Sequence, residues 1–425
     1  MESGQNETVY AVPQPSGFFA SGMEKLYAVL SYPVAYLYIY WLFDITLEAP
    51  SYWWYLLGFA AAFCLGVAVM HRGRKAGWEP WAWLGAMALC FAGLLLGRSR
   101  VWEPELTALF LHGFAIYFTL SRSNTLLEGR TGRLFPLDCL YGAVIFPFGR
   151  FFLRIRVLVA ILRDWTKTKK RTSVWAIVAI VVAILLFILS ASLLSAADVQ
   201  FGRLTERFLR TFDQIDVGIF IKFLLSLPVG AYLYGLVVGT NRVTPEAQKA
   251  KGQGVLNAFD QLRKVPAMVW VVLLAGFAIL YGVFFGIQGS YLFGAFTRTL
   301  PDDFTVAEYA RQGFFELCKV MALNFLLLWL ALSSADVSVK VSRTLRVMAT
   351  IVLAESLLLA VTAGSKLWLY IDCFGFTPLR LQSAWLICVL AAGCLASVWS
   401  IWTGRRSVRA WAMFSGLSLA LLHLY

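Results

Sequence analysis

Two stretches of this chain set ionisable and aromatic side chains at the mouth of an apolar run, where they could hold an anion or carry charge into a membrane. The first is Thr305 to Asn324, TVAEYARQGFFELCKVMALN. Thr305 followed three residues later by Glu308 has the form of a capping box, which predicts a helix start and places Tyr309, Arg311 and Gly313 in the next turns. Glu316 and Lys319 then lie one turn apart inside the apolar segment. Opposite charges on one helical face can neutralise each other, the least costly way of taking charge into lipid. The second stretch, SKLWLYIDCFGFTPLRLQ, sets Lys366 and Tyr370 four apart on one face. Gly375 then allows a tight turn, Thr377 is a good N-cap and Pro378 a good first helical residue. Arg380 falls in the first turn of the following helix, the unfavourable end of the dipole for a cation. It therefore calls for a particular partner, with Glu308, Glu316, Asp372 and Glu355 as candidates.

Glu355 sits in VLAESLLLAV, well inside an apolar run. An ionised carboxylate there costs several kcal/mol unless it is paired, protonated or wet. One reading makes it a proton or cation relay. The other, which structural pairs in membrane bundles favour, makes it an interhelical partner of Lys222 or Lys319.

Other chemistry finds little support. The histidines His71, His112 and His423 are scattered, and there is no HExxH, GxSxG or DxD. Neither a metal trio nor a triad base is visible, so no catalytic residue, metal ligand or cofactor is assigned. Seven cysteines occur without a CxxC pair and read as small core residues.

The elements that must position these groups are membrane helices. Only 14% of residues are charged and mean hydropathy is +0.70, against roughly 25% charged in a soluble domain. The sequence predicts an all-α, polytopic integral membrane protein with about eleven transmembrane helices and additional interfacial amphipathic helices. The spans are 26–44, 52–70, 80–97, 106–120, 175–196, 218–239, 267–287, 313–332, 347–364, 384–402 and 411–425, of which 106–120 and 411–425 are short. Residues 1–25 form a tail without the basic n-region of a signal peptide, and 26–425 one integral domain. Within that domain, 26–173 holds the first helices and a long basic loop, and 174–425 the later helices.

Charge placement checks the count independently, because a missed span would invert every later loop. Of 37 Lys and Arg, 25 fall in the even-numbered loops between spans and nine in the odd-numbered ones. The N-terminus and even loops are therefore expected in the cytoplasm, and the odd loops and C-terminus outside. The net charge of +13 is explained this way, and nucleic acid is not an expected partner. Protein partners are not legible. In the fourth loop, 150–165 reads as a helix in the inner headgroup layer, followed by Lys167, Lys169, Lys170 and Arg171 facing anionic lipid headgroups. The preceding 134–149 reads as a partly inserted turn. In the fifth, Phe201 to Ile215 reads as an amphipathic outer-surface helix. The pairs Gly235/Gly239 and Gly282/Gly286 have GxxxG spacing, explained by close helix packing.

FTVAEYARQGFFEL and SKLWLYIDCFGFTPLR together resemble motifs of bacterial multi-pass membrane proteins catalogued as domain of unknown function 4173, with a related group numbered 4153. Val306, Gln312, Phe374 and Phe376 depart from the motif residues. The resemblance implies a bacterial inner-membrane protein and marks Tyr309, Arg311, Gly313, Tyr370, Gly375, Thr377 and Arg380. It implies no activity. The leading expectation is thus a non-enzymatic, transporter-like or envelope-associated component with an outward-facing polar cluster. Two rivals stand beside it. One is an enzyme acting on an anionic lipid or polyprenyl phosphate, with Arg311, Arg380 and Lys366 holding the phosphate and Glu316 or Glu355 as base. The other is a sensory or partner-binding scaffold.

Overall fold

The computed structural model describes residues 20–44, 52–96, 101–166, 217–261, 265–297, 314–335 and 343–425, with isolated positions between 179 and 194. Outside the described residues lie the basic cluster Lys167–Arg171, nearly all of the fifth predicted span, the outer amphipathic helix and the motif positions Thr305, Glu308, Tyr309, Arg311 and Gly313.

The described chain is helical, without a strand. In order the helices are α1 (Gly22–Asp44), α2 (Tyr52–Met70), α3 (Glu79–Leu95), α4 (Pro104–Arg122), α5 (Phe135–Leu140), a π-helical turn (Tyr141–Ile145), α6 (Phe146–Gly149) and α7 (Leu153–Thr166). They continue with α8 (Val217–Asn241), α9 (Pro245–Gln261), α10 (Ala267–Thr297), α11 (Phe314–Ser334), α12 (Arg343–Phe374), α13 (Pro378–Thr403) and α14 (Val408–Leu421). Six are long and apolar enough to cross a membrane: α1, α8, α10, α11, α12 and α13. α2, α3 and the C-terminal helix are apolar but shorter. The expected eleven spans are therefore not reached among the described residues.

Two hydrophobic cores organise the bundle. One joins α1–α7, α8 and the C-terminal α14; the other joins α10, α11, α12 and α13. α13 links them, since Trp385 Nε1 donates to Ser418 Oγ (2.9 Å) and Trp411 Nε1 to Val389 O (2.9 Å).

At one end every even-numbered loop meets its neighbours. α1 begins with a capping box absent from the sequence reading: Ser21 N–H donates to Glu24 Oε2 and Glu24 N–H to Ser21 Oγ. The same carboxylate accepts a two-pronged bond from Arg242 at the end of α8 (2.7 and 2.9 Å). Arg74, between α2 and α3, donates to the carbonyls of Thr240 (3.2 Å), Asn241 (2.7 Å) and Val243 (2.8 Å), and to that of Ser123. One guanidinium thus satisfies the orphan carbonyls that close α4 and α8, at the dipole end where a cation is favoured. Glu79 pairs with Arg409 (2.9 Å), Glu128 with Arg406, and a bridge joins Val265 to Ala335.

The opposite end gathers the third loop, the ninth loop and the last residues. Gln382 Nε2 donates to Val101 O, Trp102 meets Trp385 edge-on (5.8 Å), and Phe376 meets Tyr425 (6.3 Å). The segment 134–149 does not span. It enters beside Leu120, reaches Tyr232, whose hydroxyl donates to Ala143 O (3.0 Å), and returns to Gly239, whose carbonyl accepts from Arg150. Gly235 and Gly239 let Phe146 and Pro147 approach; a Cβ on Gly235 would lie 2.4 Å from Pro147 O. Gly282 and Gly286 have no such neighbour among the described residues, where close packing accounts for the first pair.

Replacing Arg74 by Ala leaves several main-chain acceptors unpaired and is expected to cost about 3 kcal/mol. The thermal midpoint of the detergent-solubilised protein should drop for this variant and not for Arg72→Ala, whose side chain is exposed; equal midpoints would contradict the network. His71 is fully buried in the same region, with Nδ1 donating to Val67 O (2.8 Å) and Nε2 3.2 Å from Thr240 Oγ1. Burial lowers its pKa from 6.5 to about 4, aided by the positive charges of Arg74 and Arg122. The unfolded ring binds a proton before the folded one does, so stability falls as pH drops from 6.5 towards 4. A His71→Gln variant should show a shallower decline over that window, and parallel curves would overturn the assignment.

Candidate functional site

α12 carries three of the nine expected binding residues, Glu355, Lys366 and Tyr370, and its 32 residues exceed the ~20 that a bilayer core requires. Its C-terminal end is closed by Gly375 at φ +77°, a backbone conformation that Gly adopts without a Cβ penalty. Thr377 follows in extended conformation as N-cap of α13 and Pro378 is its first residue, as expected, although the Thr377 side chain makes no capping bond.

Arg380 has found a partner outside the expected carboxylates. Its guanidinium stacks on Tyr370 at 4.0 Å, lies 5.9 Å from the Phe374 ring, and donates to Gly375 O. The reason is geometric: a side chain rooted at the start of α13 reaches back to the closing turn of α12. There it meets carbonyl rather than amide groups, and the dipole favours it.

Of the nine expected binding residues, the seven that are described do not all gather at one place. Tyr370, Thr377 and Arg380 come together with Gly375. Glu355 lies about 22 Å from Tyr370 along α12, at 1.5 Å per residue. Lys366 lies between them and is only 2% exposed, in the second core's wall. Glu316 and Lys319 are both exposed on the first turns of α11, and no ion pair joins them among the described residues. Helical spacing made such a pair possible, but side chains facing outward gain little from holding one geometry. Tyr309 and Arg311 fall outside the described residues.

Glu355 is likewise not an ion-pair partner of Lys222 or Lys319. Lys222 of α8 lies over the Tyr40 ring of α1 at 3.9 Å. The Glu355 Oε2 atom is enclosed and has no hydrogen-bond partner among the described residues. Beside it runs a chain that sequence reasoning missed. Tyr281 of α10 donates to Asn324 Oδ1 (2.6 Å), Asn324 Nδ2 of α11 donates to Ser356 Oγ (2.8 Å), and Ser356 donates to Val352 O (2.8 Å). Asn324 and Ser356 are each 1% exposed. The signal was present: Asn324 interrupts the apolar run VMALNFLLLWLAL, and an amide inside a membrane helix seeks a partner on a neighbour. Three helices are thus joined by neutral hydrogen bonds, with one carboxylate left over. Among the described residues no group of His, Cys, Asp and Glu could hold a metal ion.

Comparison with known families bears on this stretch directly. The model described as Domain of unknown function (DUF4153) matches residues 85–425. The chain belongs to the DUF4153 family. The match begins within α3, so in this DUF4153 protein the shared region takes in α4 to α14, the Tyr281–Asn324–Ser356 chain and Glu355. It reaches well beyond the C-terminal half that carries the two sequence motifs. No curated protein and no solved structure matches the chain.

Removing the central amide tests the chain. Asn324→Ala should cost about 2 kcal/mol by stranding the Tyr281 hydroxyl, whereas Ser334→Ala, at an exposed hydroxyl bonded within its own helix, should be neutral. Thermal midpoints in detergent report both, and a neutral Asn324→Ala would show that the chain carries no stability.

Proposed function

We propose that this is a transporter-like, multi-pass protein of the bacterial cytoplasmic membrane, with its working site in the α10–α13 group. The even-loop end, with the N-terminus, faces the cytoplasm, and the basic cluster Lys167, Lys169, Lys170 and Arg171 faces anionic headgroups. The observation that carries the reading is Glu355, whose Oε2 is enclosed mid-helix without a partner. A purely structural charge in lipid is paired; one kept unpaired beside a polar chain is an exchange site by default. The polar groups at the odd-loop end, Tyr370 and Arg380, frame the outward approach.

The same geometry weighs against the lipid-phosphate enzyme. A phosphate-holding arginine presents its fork to the ligand, whereas the guanidinium of Arg380 stacks on Tyr370 and gives one of its donors to Gly375 O. A scaffold has no use for an unpaired acid.

A Glu355→Cys variant, treated in membranes with a hydrophilic and separately with a lipid-soluble thiol reagent, separates these cases once mass spectrometry locates the label. Modification by the hydrophilic reagent is expected, because an exchange site must meet water in some state. Modification only by the lipid-soluble reagent would favour a lipid groove, and none by either a closed scaffold.

A further inference from the structure

Resting on the transport reading above, the inference here concerns which species Glu355 carries. The side chains around it are spent on one another. Tyr281 and Ser356 each own one hydroxyl hydrogen, and both are used, towards Asn324 Oδ1 and Val352 O. Neither can donate to the carboxylate without breaking the chain. From α10 the titratable group that acts on Glu355 is Tyr281. α11 contributes the neutral Asn324, and among the described residues no charged side chain of α10, α11 or α13 acts on it. On α12 itself the flanking charges, Arg346 and Lys366, are more than two turns away.

A hard metal cation takes about six oxygen ligands when it sheds its water. Here one carboxylate stands among oxygens whose positions are fixed by bonds across three helices, so such a shell cannot form without dismantling them. A proton needs one acceptor.

We propose that Glu355 is a proton-carrying site, neutral when loaded. Loading forms one O–H bond on the carboxylate as a hydronium ion gives up its proton and leaves as water. Unloading returns the proton to water and the negative charge to the carboxylate. The Tyr281–Asn324–Ser356 chain holds α10, α11 and α12 at fixed distance around the acid and is not itself the proton path, since the Asn324 amide does not readily release a proton and the chain ends on the Val352 carbonyl.

Infrared difference spectroscopy on the full chain in liposomes, stepped in pH, reads the carboxylic C=O stretch directly. The wild type should show a protonated-acid band that vanishes on alkalinisation and is unmoved by Na+ or K+ at constant pH. The band should be absent in Glu355→Gln and shifted in Glu355→Asp, which keeps an acid should the amide variant fold poorly. A band unchanged in both variants, or one removed by Na+ at constant pH, would overturn the proposal. Hydrophilic labelling of Glu355→Cys without a Glu355 band would leave the transport reading and sink the proton. A titrating band without such labelling would do the reverse.

Discussion

Arginine side chains bonded to main-chain carbonyls and buried carboxylates at one end of the bundle are the interaction on which the rest of this structure depends. Helix ends expose carbonyls that no intrahelical donor reaches, and near a bilayer those groups must be satisfied by the protein. Arg74 does this for α4 and α8 together and Arg150 for Gly239, while Arg154 reaches the Ala28 carbonyl inside α1 through a 3.1 Å bond from Nε. The carboxylates that enter the same layer, Glu24, Glu79 and Glu128, are each met by an arginine from a distant loop. The helices are therefore fixed in register at this end, and the C-terminal α14 is held against α3 despite the long stretch of chain between them.

The other core is built on a different economy. α10 to α13 meet through apolar packing, the neutral Tyr281–Asn324–Ser356 chain, a Trp402–Thr350 bond (3.0 Å) and the stacking of Arg380 on Tyr370. Neutral bonds between membrane helices are individually modest, of the order of 1 kcal/mol. A helix group held that way can shift at small cost, whereas the arginine-clamped group cannot. The enclosed acid Glu355 lies in the lightly held group and the arginine-paired Glu24, Glu79 and Glu128 in the clamped one, where Asp138 accepts from Leu127 N–H and keeps Oδ2 without a partner among the described residues.

How much of this was legible beforehand follows from what sequence encodes. Hydropathy gave the helices, because burial in lipid is a property of a whole segment. The sorting of loops by charge put the second, fourth, sixth and tenth loops on one side, and Arg74 does reach the carbonyls flanking Arg242 while Arg409 reaches Glu79, although the sequence places them far apart. Turn chemistry placed Gly375, Thr377 and Pro378 correctly, since those preferences are local. Partner choice was not legible. Arg380 was expected on a carboxylate and found an aromatic face, Glu355 was expected beside a lysine and has none among the described residues, and Ser21 with Glu24 closes a capping box that spacing did not single out. Spacing says which residues share a face, but not what the neighbouring helix presents to that face.

The arrangement requires the two ends of the bundle to lie on opposite sides of the membrane. Cys373, exposed at the end of α12, and a cysteine placed at exposed Lys75 mark the two ends. In intact cells an impermeant thiol reagent should modify Cys373 and leave Lys75→Cys untouched until the membrane is permeabilised. Modification of both from the same side would contradict the account.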